Sequence, residues 1–476
     1  MICITVTPTS RTLAKADLLN AARQGDIIEL CLDHFVKEPD VKDLITAVNK
    51  PMIVSCRREQ DGGKWKGTEE ERLLLLRQAI VAGPAYVELD LDIAAKIPRF
   101  GSTQRVISFT RLDGPEHDIE QIFYEATNAK ADVVKFTWPT PTIDDAWPLL
   151  AAVSQKRLLP VVGMGLGRAD ITFSLLGRKY GSPWIYAALE PGMEAYPGQE
   201  TVFELDETYH WREIDQRTAF VAVAGFGPGQ LSTIRTFNTG FKELGLNIRC
   251  LPIEVGNLKK LPKMLDALKI RAIVASGELG QQLIPLAEHI DKHDQRSGYL
   301  NLLLKRDDGW HGYNTLWRSG LKELEAQLGE HGLDRHNVMI LGNGGIAQSM
   351  VHAVTQRKGL VSICGPGDNA ARQTAQDFQC RFVTFQKLYE TLVDVIIVAD
   401  PSLQIGTRHG QINGSLFRNT MTVMDVSNLP LESSLLTEAR ARGARTIDSR
   451  KIYQQQLGSQ FKAITGKELP ATAFAD

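Results

Sequence analysis

The sequence predicts an α/β chain in two parts: a closed barrel of eight strand–helix units, then a two-lobed region ending in a Rossmann-like, nucleotide-binding type of lobe. Three observations predict it. Eight β-like runs (ICITV, DIIELCL, PMIVSC, YVELDLD, RVISFT, VVKFTW, LLPVVGM and WIYAAL) succeed one another in the first part of the chain, with helix-patterned stretches such as EEERLLLLRQAIVAG and DIEQIFYEATNAK between them. The polar stretch LDETYHWREIDQRT interrupts the pattern, which restarts with FVAVAGFGPG. Further on, NVMILGNGGIAQSMVHAVTQRKG reads as strand, glycine-rich turn and helix, followed by the strands LVSIC, LVDVIIVAD and MTVMDVS.

These breaks divide the 476 residues into 1–215, a (β/α)8 barrel, 216–325, a second α/β unit, and 326–476, the nucleotide-binding type of sheet with a helical C-terminal segment. A barrel of this kind carries its active site at the C-terminal ends of the strands.

Charge is nearly balanced, 54 basic against 56 acidic residues, with no block of one sign. Neither nucleic acid nor a membrane surface is thereby implied as a partner, which leaves a small soluble ligand. The N-terminus MICITVTP has no basic region before an apolar stretch, and no apolar run approaches the roughly 18 residues of a membrane span. A cytoplasmic protein is expected. The six cysteines stand without a CxxC pair, so they are expected to be reduced and mostly packed. No oligomeric state follows from the sequence.

Lys135 lies in the apolar run VVKFTWP. A free ammonium there is costly unless it has a partner or a task, and desolvation leaves a lysine amine free to attack a carbonyl. Lys135 is therefore a candidate Schiff-base nucleophile on the sixth strand. The structural alternative is a lysine reaching the barrel mouth or paired with Glu29. Glu29 and Asp33 in IIELCLDHF and Arg57 at the end of the third strand point charges at the same mouth. They read either as an ion network at a strand end or as an arginine facing a carboxylate ligand.

The turn containing Gly342, Gly344 and Gly345 follows a strand and opens a helix, which lets backbone N–H groups approach a pyrophosphate. The next strand, however, ends in Cys364, Gly365 and Pro366, where an acid for a ribose hydroxyl or an arginine for a 2′-phosphate is expected. No metal site is expected: there is no HExxH or GKS/T motif, and His289 and His293 in EHIDKHD read as the solvated face of a helix. Arg440, Arg442 and Arg445 in EARARGAR read as a charged helix end before a glycine stop.

Together these segments resemble the fused bifunctional family of the shikimate pathway, a type I 3-dehydroquinate dehydratase joined to a shikimate dehydrogenase. On the first half IIELCLD, CRREQDGG, ADVVKFT, LLGRKYGSP and YPGQ carry the resemblance. On the second half it rests on LGNGGIA, HGYNT, LPLESSLLTEARARGARTID and QLGSQFKAITGKELP. The resemblance implies Lys135 and Glu29 as catalytic residues and Arg57, Gln199, Asn301, Asn314 and Gln456 as contacts to a ring carboxylate such as dehydroquinate or a shikimate-like molecule. It also implies NADP at Gly342, Gly344 and Gly345, although the end of the next strand argues against tight binding.

The chain departs from the family pattern where protons move. Thr110 stands in place of the general acid–base histidine, Leu279 in place of a lysine and Leu316 in place of an aspartate. Cys31 and Ser174 stand where arginines are expected and Ala195 where a serine is, with Arg168 as a substitute cation. A hydroxyl does not exchange protons near neutral pH as imidazole does, and a leucine cannot donate one. Three readings follow: an enzyme of this type with weakened dehydration and lost reduction, a non-catalytic paralogue serving regulation or assembly, or an enzyme using Lys135 on another substrate.

Overall fold

The structure is a computed structural model describing residues 1–474 except 117, 156, 168, 169, 226, 330, 331 and 409. The chain forms two compact units, Met1–Thr218 with Leu251–Asn257 and Ala219–Cys250 with Leu258–Asp476.

In the first unit the strands are β1 (Ile2–Val6), β2 (Ile27–Cys31), β3 (Met52–Ser55), β4 (Tyr86–Asp90), β5 (Gln104–Thr110), β6 (Val133–Pro139), β7 (Val161–Leu166) and β8 (Ile185–Ala188). They pair in parallel in the order β7-β6-β5-β4-β3-β2-β1-β8. The end strands β7 and β8 lie alongside each other, so the sheet is a nearly closed barrel. Being buried on both faces, parallel strands read as near-continuous apolar runs, which is why they stand out in the sequence.

The helix Glu69–Ala82 shows how the outer layer forms. Thr68 and Glu71 make a capping box, Gly83 at φ 78° ends the helix, and Leu73, Leu76, Ala79 and Ile80 are buried. Each large aliphatic side chain so buried stabilises by about 1.5–3 kcal/mol. One unit departs from the expected strand–helix pattern. After β4 there is no α-helix but a single 3-10 turn, Ala94–Lys96. Pro98 and Gly101, the latter at φ 60°, close the connection before a longer helix can form.

Side-chain alternation divides the barrel interior into layers. Cys3, Ile27, Ile53, Val106, Val133, Val162 and Trp184 belong to one apolar cluster. Two residues further along, the same faces present Thr5, Glu29, Ser55, Ser108, Lys135, Met164 and Tyr186, a largely polar layer resting on an apolar floor.

The second unit has two sheets. The strands β9 (Ala219–Ala224), β10 (Ile248–Pro252), β11 (Ile270–Ala275), β12 (His289–Ile290), β13 (Leu302–Arg306) and β14 (Gly309–Tyr313) are ordered β10-β9-β11-β13-β14-β12. In that sheet β13 runs antiparallel to β11 and β14. The strands β15 (Asn337–Leu341), β16 (Leu360–Cys364), β17 (Arg381–Phe382), β18 (Val395–Val398), β19 (Thr422–Asp425) and β20 (Arg445–Thr446) form a parallel Rossmann-like sheet, β17-β16-β15-β18-β19-β20. Its core joins Met339, Leu341, Ile396, Val398 and Val423 to Leu435 and Leu436 of the helix Ser434–Ala441.

EHIDKHD is not one helix. The Asp291 carboxylate accepts from the N–H groups of His293 and Asp294 and starts the short helix Lys292–Arg296, leaving His289 on strand β12. The EARARGAR segment ends the helix Ser434–Ala441, with Arg440 paired to Glu432, Arg442 to Glu438 and Gly443 at φ 80°. The six cysteines are free, and Cys380 is the one that is not fully buried. No helix among the described residues is long and apolar enough to cross a membrane.

Candidate active site

Alternation from Val133 turns Lys135 into the barrel, where it is 0 % exposed and lies opposite Ser108 of β5. Its Nζ donates to Glu88 Oε2 on β4 at 2.8 Å and sits 4.6 Å from the centre of the Tyr186 ring. The Arg57 Nε donates to Glu88 Oε1 at 3.3 Å, and its Nη2 pairs with Glu29 Oε1. Lysine and arginine thus face two carboxylates in a compact, neutral quartet. Burial alone would push the Glu88 carboxyl up, but the Lys135 ammonium and the Arg57 guanidinium outweigh it and hold it at about 2. Such charges stay buried only because each has a partner.

Four buried polar atoms in this interior, Glu29 Oε2, Ser108 Oγ, Thr137 Oγ1 and Tyr186 OH, have no hydrogen-bond partner among the described residues. An orphaned buried polar group costs about 1–3 kcal/mol, so a cluster of them around an amine suits a polar ligand or water.

The mouth is closed by the segment after β8. Gln199 Nε2 donates to Thr5 Oγ1 at 3.1 Å, and its Oε1 accepts from Ala195 N–H at 2.8 Å. Tyr196 packs against the interior cluster and donates to Asp170 Oδ2 at 3.4 Å, while Asp170 Oδ1 accepts from Gly165 N–H at 3.2 Å. Burial pushes the Asp170 carboxyl well above its ordinary value. Gly198 is required here, because at φ 85° a Cβ would lie 2.2 Å from the Gly167 carbonyl oxygen. On the rim Asp33 accepts from the N–H groups of Arg57 (3.1 Å) and Lys64 (2.9 Å), and His34 Nε2 lies 3.6 Å from its carboxylate.

In the second unit Gly342 sits at φ 139° where a Cβ would press on the backbone of Ala399, and beside Gly344 the space is open. Gly345, the first residue of the helix Gly345–Thr355, is demanded by packing: a Cβ would lie 2.4 Å from Gln281 and 2.6 Å from Tyr299. Asn314 is 0 % exposed. Its Nδ2 donates to Ser297 Oγ and Ser349 Oγ at 2.8 and 2.9 Å, and its Oδ1 accepts from the N–H groups of Leu316 and Trp317 at 2.9 and 3.4 Å. The Asn301 amide is tied to Thr315, and its backbone carbonyl accepts from Gln460 Nε2 at 3.0 Å. Gln456 is buried on the helix Ser449–Thr465.

Residues 2–216 match the family model of the type I 3-dehydroquinase. The chain is 21% identical over 478 residues to the chloroplastic bifunctional 3-dehydroquinate dehydratase/shikimate dehydrogenase of Arabidopsis thaliana, covering 94% of this chain and 79% of the relative. The match over residues 2–216 and the similarity along nearly the whole chain support the fused dehydratase–dehydrogenase family. Each half also has separate relatives. A 3-dehydroquinate dehydratase of Methanocaldococcus jannaschii is 27% identical over 45% of this chain and 99% of its own length. The shikimate dehydrogenase (NADP(+)) of Aquifex aeolicus is 26% identical over 54% of this chain and 95% of its own length.

The structure places the residues that the sequence reading sets against the family pattern. Thr110 ends β5 half-buried opposite Thr137. Cys31 is buried with its Sγ 3.6 Å from Ser55 Oγ, and Ser174 is buried in the helix Asp170–Tyr180. Leu279 opens the short helix Leu279–Gln282, and Leu316, 3 % exposed, opens the helix Leu316–Leu328. Arg168, the substitute cation, lies outside the described residues. Sequence reasoning missed Glu88, Asp170 and Tyr196. The signal for Glu88 was present: YVELDLD places acids inside a run that parallel strands bury on both faces.

Proposed function

We propose that the barrel takes a cyclic ketone bearing a carboxylate, of the 3-dehydroquinate class, and forms an imine with it through Lys135, with dehydration weakened and reduction in the second unit lost. The observation that carries this reading is the Lys135 amine held 2.8 Å from Glu88 beside Arg57, near buried polar atoms without a partner among the described residues. Arg57 presents a planar guanidinium to the ligand carboxylate, oriented by Glu29 and Glu88. Gln199 holds the closing segment over the mouth.

For the imine to form, the Lys135 ammonium gives up a proton, its nitrogen bonds the ketone carbon, and the ketone oxygen leaves as water. The nearest acceptor, Glu88, is held at about 2 and takes a proton only uphill. Thr110, in the place of the family's histidine, cannot relay it near neutral pH. Formation and turnover are therefore slow. General acid–base groups contribute about 10²–10⁴-fold each, which sets the scale of the loss.

The lobes expected at 216–325, for ligand, and 326–476, for nucleotide, fall in the second unit except for residues 216–218 and 251–257. The turn at Gly342 and the open space at Gly344 suit the approach of a pyrophosphate, but Cys364, Gly365 and Pro366 bring neither an acid nor an arginine to the ribose. Leu279 and Leu316 cannot move the proton that accompanies a hydride. These residues do not fit reduction with NADP; Asn301 ties the start of β13 to Thr315 after β14, and Asn314 bonds Ser297 and Ser349.

Borohydride reduction in the presence of 3-dehydroquinate, followed by mass spectrometry of the Lys135 peptide, tests this reading: an adduct is expected, and its absence overturns it. The paired state of Lys135 favours a second reading, non-catalytic binding for regulation or assembly. Calorimetric binding of 3-dehydroquinate with no trapped adduct would select it.

A further inference from the structure

His289 and His311 are brought face to face by strand pairing. The short strand β12 lies at the edge of its sheet, parallel to β14, and its first pair is His289 with His311. The two imidazole rings lie 4.6 Å apart, centre to centre. Both turn their Nε2 atoms to Asp308 in the β13–β14 turn: that of His311 lies 2.8 Å from the carboxylate, and that of His289 lies 3.1 Å from the backbone carbonyl oxygen and 3.6 Å from the carboxylate. The ligand atoms of the three residues all fall within 4.8 Å of one another.

We propose that His289, His311 and Asp308 form a surface site for a borderline divalent transition metal of the zinc class. The donor set decides the class: two imidazoles and one carboxylate suit zinc, whereas calcium and magnesium take oxygen ligands. An ion at the centre of the triad would take the place of the Nε2 protons, which leave to solvent, and give each nitrogen and the carboxylate one metal bond. The partial exposure of the triad leaves the remaining position to water, as three-ligand zinc sites do.

The site also has a structural consequence. β12 has two residues and two ladder pairs, extended by Glu288, whose N–H donates to the Trp310 carbonyl at 2.8 Å. An ion joining His289 to His311 and Asp308 staples the edge strand to the hairpin beside it. No part of this depends on the barrel chemistry, and the triad shares no residue with either proposed pocket.

The test is titration of the full chain with Zn²⁺ alone, at neutral pH, by calorimetry and by competition with a chromophoric chelator. One ion per chain is expected, with affinity falling about tenfold or more in His289→Ala and in His311→Ala. His293→Ala, a neighbour outside the triad, should bind as the parent does. Hydrogen exchange should slow in the peptide spanning β12 when Zn²⁺ is added to the parent, and not in His289→Ala. Absence of binding by the parent, or equal affinity in the parent and the two triad variants, overturns the proposal.

Discussion

Replacing Glu88 by glutamine tests the buried quartet most sharply. The substitution keeps the side chain's shape but removes, among the described residues, the only carboxylate paired with Lys135 and one of the two paired with the Arg57 guanidinium. Two routes give its magnitude. A carboxyl held at about 2 instead of its ordinary 4.5 corresponds to about 3 kcal/mol of stability at neutral pH. Independently, removing one partner of a buried ion pair costs about 3–5 kcal/mol. The sign with pH follows from the depressed value. This contribution is fully present above 4.5 and is lost as pH falls through about 2. Hydrogen exchange of peptides covering β4 and β6 reads the barrel alone, and Glu88→Gln should lower their opening free energy by about 3 kcal/mol or more at pH 7. In the double variant with Lys135→Met the loss should be clearly smaller than the sum of the two single losses. A loss below about 1 kcal/mol, or full additivity, would show that the two charges do not meet.

Gly198→Ala should loosen the closing segment, because its Cβ meets the Gly167 carbonyl oxygen at 2.2 Å in a left-handed backbone. Limited proteolysis should cut residues 190–200 faster, and unchanged cutting would mean that the segment is not held as described. Asp170 is raised by burial above its ordinary 3.8, so its contribution is full below that value and is lost as pH rises through the folded value. Asp170→Asn should therefore make the barrel more stable relative to the parent as pH rises, measured by urea unfolding at pH 5 and pH 8. Equal differences at both would exclude a raised carboxyl. Asn314→Ala removes four hydrogen bonds and should cost about 2–4 kcal/mol. A near-neutral effect would free Asn314 for ligand contact.

The sequence shows the strands of the barrel plainly because apolar runs buried on both faces leave little else they can be. Lys135 stands out for the same reason, as a charge where the run admits none. Its partner does not. Which carboxylate an interior lysine meets depends on strand stagger around the barrel, which period-two reading along one strand does not contain; Glu29 goes to Arg57 and Lys135 to Glu88. The 3-10 turn after β4 and the strand at His289 were hidden because local capping and breaking, by Pro98 and Asp291, override a helical pattern. The internal bonds that the Asn301 and Asn314 amides make to Thr315, Ser297 and Ser349 are visible only once their neighbours are placed.

The proposed function rests on a retained imine-forming amine without the groups that turn the imine over. A rapid-quench course with 3-dehydroquinate, borohydride and parallel detection of dehydrated product measures both at once. The Lys135 adduct is expected to accumulate while product lags far behind it. Product released as fast as the adduct forms would contradict it and reveal a working proton-transfer group at the barrel mouth.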